Sequence, residues 1–146
     1  MTDKNKLSPK VSALSTTFFF LGLFSLVSQT MIIREFLTVV YGNEIILGVL
    51  FFHWLAGIFA GALCGGPAAD RSKKPALLFV ISILSMCLLL PLCLTGIRFL
   101  YTISGTAAGN YVGFFKVFFL SGIFIIPLVF CIGFSFPLTA RMQSET

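Results

Sequence analysis

Charge is scarce in this chain. Of its 146 residues, ten are lysine or arginine and five are aspartate or glutamate. Soluble domains carry about 25% charged residues. A charged share of 10% with a mean hydropathy of +1.03 excludes that class and points to an integral membrane protein. Reactive side chains are scarce too. Asp3 and Asp70 are the only aspartates and His53 is the only histidine, and it falls inside an apolar run. No Ser/His/Asp set can be drawn from these, and no glycine-rich phosphate loop follows a strand, so no enzyme is expected. Cys64, Cys87, Cys93 and Cys131 form no CxxC or CxxCH pair. That argues against a zinc site and covalent haem, and reads the cysteines as small buried hydrophobes. No metal and no cofactor is expected. Bis-histidine haem would need a second histidine, whereas a haem shared with another subunit stays open.

The net charge of +5 does not imply nucleic acid. No basic stripe with interleaved aromatics occurs outside the loops. Lysine and arginine instead gather in cytoplasmic loops, because they resist translocation. The first apolar run is too long for a signal-peptide core and no A-x-A-like site follows it, so it reads as a retained helix.

What the chain has is apolar length. About 20 residues span a hydrocarbon core. Four such runs predict transmembrane helices at about 14–33, 45–66, 76–97 and 117–138. Residues 1–11 and 142–146 read as polar tails, and 12–141 as one four-helix transmembrane domain. Eighteen phenylalanines suit lipid-facing surface, since the ring has no polar tip to satisfy. Tyr41-Gly42-Asn43 has turn chemistry. Ser104 to Asn110 reads as a small-residue outer loop, and Pro91 and Pro127 as kinks.

The stretch from Cys64 to Pro75 holds Asp70, Arg71, Lys73 and Lys74, which cannot lie in hydrocarbon. It is expected to emerge as a cytoplasmic turn. Lys4, Lys6, Lys10, Arg71, Lys73, Lys74 and Arg141 then lie inside, against Arg34, Arg98 and Lys116 outside. This split places both termini in the cytoplasm. The expected architecture is an all-α antiparallel bundle in the plasma membrane, a bacterial inner membrane.

Gly57, Gly61 and Gly65 recur every four residues and share one helical face. Such a stripe lets another helix approach closely. A sliding contact in a transport cycle uses the same geometry. His53 points to that face, as an interhelical hydrogen-bond partner or a relay. Gln29 lies deep in the first helix, with Ser25 and Gly22 on its face and Ser28 and Thr30 beside it. Intramembrane polar groups serve as helix glue or line a solute path. Arg34 and Glu35 read as interfacial anchors able to pair with Glu44 or neighbouring helices.

Gly66-x-x-x-Asp70-Arg71-x-Lys73-Lys74 resembles the loop between the second and third helices of major facilitator transporters, with Lys73 where that family has glycine. A broader match runs from Ser25-Leu26-Val27-Ser28-Gln29 through Arg34-Glu35 and Val40-Tyr41-Gly42-Asn43. It continues from Ala56-Gly57 through Asp70 to Pro75. It resembles the amino-terminal membrane region of membrane-bound spermidine synthase-like proteins, with Pro67 replacing an arginine. Gly133 to Arg141 also resembles that family's Gly-x-x-Phe-Pro-Leu-x-x-Arg. The resemblance covers most of residues 20–141. It implies a membrane module and not catalysis, because the aminopropyltransferase domain of that family has no counterpart in these residues.

Two functions are therefore expected in competition. One is a non-catalytic anchor or assembly subunit, bound in lipid to a second copy or other membrane subunits. The other is half of a transporter for a small cation or polyamine, or the membrane part of a split spermidine synthase-like system. They differ in whether Gln29, Glu35 and His53 converge on one cavity.

Overall fold

The computed structural model describes residues 9–39, 44–99, 102 and 113–144. The described chain is organised around four long helices and contains no strand. They are α1 (Pro9–Val39), α2 (Glu44–Arg71), α3 (Pro75–Arg98) and α4 (Phe114–Ser144). At 1.5 Å per residue each exceeds a hydrocarbon core of about 30 Å. All four are long and apolar enough to cross a membrane. The expected Tyr41-Gly42-Asn43 turn, the Ser104–Asn110 loop and the first eight residues lie outside the described residues.

Every helix is longer than its apolar run. Hydropathy ends where charge begins, but backbone hydrogen bonding does not. Lys10, Arg34, Glu35 and Arg141 are thus inside helices. The largest correction concerns the polar turn. Cys64 to Arg71 is helical, including Gly66, Pro67 and Asp70, and only Ser72, Lys73 and Lys74 link α2 to α3. The Ser72 N–H donates to the Ala68 carbonyl at 3.1 Å and closes the last turn of α2. Lys74 is extended at φ −140°, as a residue before proline prefers. Pro75 opens α3, where its missing N–H costs nothing. The helices also run on through Pro91, Pro127 and Pro137.

Consecutive helices reverse direction. Ser82 of α3 meets Ser135 of α4, whereas Gly96 meets Phe124, so these two are antiparallel. Helices two apart therefore run parallel. The glycine stripe joins such a pair: Gly57 faces Val129, Gly61 faces Phe130 and Phe134, and Asp70 faces Arg141. The expected antiparallel packing through this stripe is corrected, because its partner is α4 and not an adjacent helix.

The α2–α4 contact is the most extensive, α3 on α4 follows, and α1 packs more lightly on α3 and α4. The core shows the same order. Ile125, Leu128, Val129 and Ile132 of α4 are fully buried, with Ile32 and Phe36 of α1, Met86 and Ile97 of α3, and Leu50 and Trp54 of α2 around them. Phe19, Phe59, Leu88 and Phe115 point outward. So do Cys64 and Cys87, which corrects the expectation that all four cysteines are buried; Cys93 alone is fully so. Cys87 lies at the open groove between α1 and α3.

Candidate functional site

The closest backbone approach lies along the glycines. A Cβ on Gly61 would stand 2.8 Å from the Phe134 nitrogen, and one on Gly65 would stand 2.7 Å from the Phe134 carbonyl oxygen. Gly57 is less tight, 3.0 Å from the Val129 Cβ. The contact is reciprocal. A Cβ on Gly133 would stand 2.8 Å from the Ile58 Cα. Gly133 was not singled out for packing in the sequence, since the other glycine of α4, Gly122, is eleven residues away and the two make no four-residue repeat. Gly66 has open space where its Cβ would be, so it has no part in this contact.

His53 lies at the end of the same interface, where glycine no longer closes it. It is 3% exposed. Its ring sits 4.7 Å from the Phe118 ring and 5.6 Å from that of Phe52. A Cβ on Gly122 would stand 2.9 Å from His53 Nε2, so Gly122 makes room for the imidazole. Nδ1 is buried without a hydrogen-bond partner. A groove of about 440 Å³ runs beside the ring between Phe52, Phe118, Gly122, Ile126 and Pro127.

Gln29 is elsewhere. It is half-buried against Ile32, Leu50, Trp54 and Ile125, at a void of about 10 Å³. That is room for roughly one water and not a solute. Among the described residues of α1 the fully buried polar group is its neighbour Ser28, whose hydroxyl has no hydrogen-bond partner. Ser28 follows Leu21 at heptad spacing, the signal that it, and not Gln29, continues the buried face.

Glu35 pairs with Arg98 at the end of the bundle away from the α2–α3 link. Arg98 Nε donates to Oε1, and Nη2 donates to Oε2 at 3.4 Å. The fork ties α1 to α3, so that of the two pairings expected for Arg34 and Glu35 the one described is with a neighbouring helix. Arg34 is exposed one residue away, and its carbonyl accepts from Thr38 Oγ1 at 2.9 Å.

At the opposite end, Asp70 lies 3.8 Å from Arg141, and both side chains are substantially exposed. Arg71, Lys73 and Lys74 are exposed beside them. A polar cluster not foreseen in the sequence joins α3 to α4. The Ser82 and Ser135 hydroxyls are 2.7 Å apart and lie 3.0 and 2.9 Å from the Cys131 carbonyl, so that one of them donates to that carbonyl and the other to its fellow hydroxyl. A second groove of about 620 Å³, lined by Leu21, Phe24, Phe79, Ile83 and Met86, separates α1 from α3 and is almost wholly apolar.

Gln29, Glu35 and His53 therefore occupy three separate places, and Asp70 with its neighbouring basic residues a fourth. Among the described residues no group of three His, Cys, Asp or Glu side chains is placed to hold a metal ion. The chain matches no protein-family model, no curated protein and no solved structure.

Proposed function

We propose that this chain is a non-catalytic membrane module, an anchor or assembly subunit of a larger complex in the plasma membrane. The observation that carries this reading is the separation of Gln29, Glu35 and His53. Gln29 borders a void of about 10 Å³, Glu35 is engaged with Arg98, and His53 stands in an aromatic groove on another face. A solute pathway needs polar groups lining a continuous cavity. Here Glu35 with Arg98 and Ser82 with Ser135 tie helices together, and the α2–α4 pair is locked by backbone contact at Gly61, Gly65 and Gly133.

The outward faces support a partner. Phe59, Leu63, Leu84 and Leu88 are all more than half exposed, surface that lipid or another membrane subunit would cover. In this reading both termini are cytoplasmic, since the α2–α3 link carries Lys73 and Lys74 beside Arg71. Native extraction followed by intact-complex mass measurement tests it. The expected result is a mass above that of one chain, with a second copy or companion subunits retained. A lone chain that moves a small cation or polyamine across vesicles would overturn it in favour of the transporter-like alternative.

A further inference from the structure

Helix α1 is packed at one end and stands off at the other. Its Ser28, Ile32 and Phe36 are fully buried, and Glu35 is paired with Arg98. Among residues 15–27 only Leu21 is buried. There the groove of about 620 Å³ separates α1 from α3. The two helices run parallel, so this is the end at which the α2–α3 link enters α3. Phe20, Leu23 and Val27 are exposed along the groove, so it opens sideways to whatever surrounds the bundle. In a membrane-embedded chain that surrounding is lipid.

The walls suit a hydrocarbon chain and not a helix. From Thr16 to Val27 the groove runs about 16 Å, close to half the thickness of a hydrocarbon core of about 30 Å. Close helix contact in membranes uses small residues, as α2 and α4 do at Gly61 and Gly133. Among the described residues, small ones line this groove only at its ends, Thr16 and Thr17 at one and Cys87 at the other. Between them stand Phe20, Phe24, Phe79, Ile83 and Met86, which hold two backbones apart and leave an apolar slot. Charge marks its mouth. Lys74 precedes Phe79, the first α3 residue in the wall, by five residues, about 7 Å along the axis. The polar layer on each side of a hydrocarbon core is about 5–8 Å deep. A groove that ends at the hydrocarbon edge therefore puts Lys74 at the depth of lipid phosphates. Arg71 and Lys73 are exposed beside it, whereas Asp70, the acidic residue at this end, lies 3.8 Å from Arg141.

We propose that the α1–α3 groove holds one acyl chain of an anionic phospholipid, whose phosphate lies against Lys73 and Lys74. The slot sets the chain and the lysines set the headgroup sign. A free fatty acid fits less well, because its carboxylate is attached directly to the chain and stops at the level of Thr16, short of the lysines. A phospholipid places glycerol between chain and phosphate and so reaches them. The proposal rests on the membrane reading but not on the anchor role.

The test uses the full chain in phosphatidylcholine vesicles, first shown to float with them. Trp54, the sole tryptophan, is replaced by phenylalanine. One tryptophan is then placed in the groove, Phe24→Trp, or on the outward face of α2, Phe59→Trp, with helicity matched to the parent. The probes are phosphatidylglycerol, phosphatidylcholine and a free fatty acid, each with brominated chains that quench tryptophan on contact. The groove tryptophan is expected to favour brominated phosphatidylglycerol over phosphatidylcholine by about fivefold, the scale of one lysine near an anionic headgroup. Phe59→Trp is expected to show a smaller preference. Lys73→Gln with Lys74→Gln abolishes the preference in the groove and leaves quenching by brominated phosphatidylcholine unchanged. Equal preference at the two tryptophans, or a groove preference that survives the lysine changes, overturns the proposal. So does a fatty acid that binds the groove as tightly as phosphatidylglycerol. A groove tryptophan that no brominated lipid quenches overturns it too, because a second copy or another protein segment would then cover the groove. Flotation without headgroup preference overturns the proposal alone, whereas failure to float overturns the membrane reading with it.

Discussion

Gly61→Ala is the sharpest test of how this bundle is held. One methyl group is added. It would stand 2.8 Å from the Phe134 nitrogen and 3.0 Å from the Phe130 carbonyl carbon. Both are backbone atoms, so no rotamer change relieves the clash. The Phe130 carbonyl oxygen is closer still, so the helices must part by roughly an ångström, which forfeits about half of the attraction at each atom pair across the contact. Overpacking of this kind costs about 1–3 kcal/mol. Opposing it, alanine favours a helix over glycine by about 1 kcal/mol.

Gly48→Ala separates the two effects. Gly48 is in the same helix, is exposed and has nothing within 4 Å of its absent Cβ. The propensity gain is common to both variants, so their difference isolates the packing cost at Gly61. Unfolding in mixed micelles, followed by far-ultraviolet circular dichroism, measures both. Gly48→Ala is expected to equal or exceed the parent. Gly61→Ala is expected to fall below Gly48→Ala by about 1–3 kcal/mol, and Gly61→Leu further still. A Gly61→Ala variant as stable as Gly48→Ala would refute the reasoning, since no backbone contact at Gly61 could then exist.

Other consequences are checked with the same preparation. Ser82→Ala, Ser135→Ala and the double variant form a cycle whose coupling is expected near 0.6 kcal/mol, the average for hydrogen bonds between membrane helices; a coupling of zero would remove the α3–α4 hydroxyl contact. Asp70→Asn is expected to cost under about 0.5 kcal/mol, because its 3.8 Å pairing with Arg141 is exposed on both sides. A loss several times larger would mean a buried partner for Asp70. Single cysteines at Ser72 and Gly109, in a background without the four native cysteines, are expected to label from the cytoplasmic and outer faces respectively. Labelling of Ser72 only from outside would invert the orientation.

Four helices were legible in the sequence because hydrocarbon thickness imposes a length that no other feature imitates. Their ends were not. The run from Cys64 to Arg71 looked like a turn because Gly65, Gly66 and Pro67 are turn residues in water. Here they extend a helix whose first turns are already hydrogen-bonded, and Ser72 closes it onto Ala68. Arg34, Glu35 and Arg141 likewise stay helical, since charge limits depth in a bilayer and not helix formation. Hydropathy therefore reads where a helix meets water and not where it stops.

Partner choice was less legible still, and the glycines show why. The spacing of Gly57, Gly61 and Gly65 marks a face that admits a close neighbour, but nothing in α2 names which helix fills it. Short connections suggest α1 or α3. The helix that fills it is α4, through Gly133 and the backbone of Phe130 and Phe134. That pairing needs complementary surfaces on helices some 70 residues apart, a property of two segments together. The same limit applied to His53. Its burial follows from the stripe, four residues before Gly57, but its groove depends on Gly122 and Phe118 of α4. Gly122 alone looked like one more small residue, and Phe118 like one of eighteen phenylalanines. Set beside His53 they make a pocket, whose chemistry therefore belongs to the α2–α4 contact and not to either helix. A substitution that parts these helices at Gly61 is accordingly expected to loosen the contact between His53 and Phe118, about 12 Å along α2 at 1.5 Å per residue, without changing any residue of the groove itself.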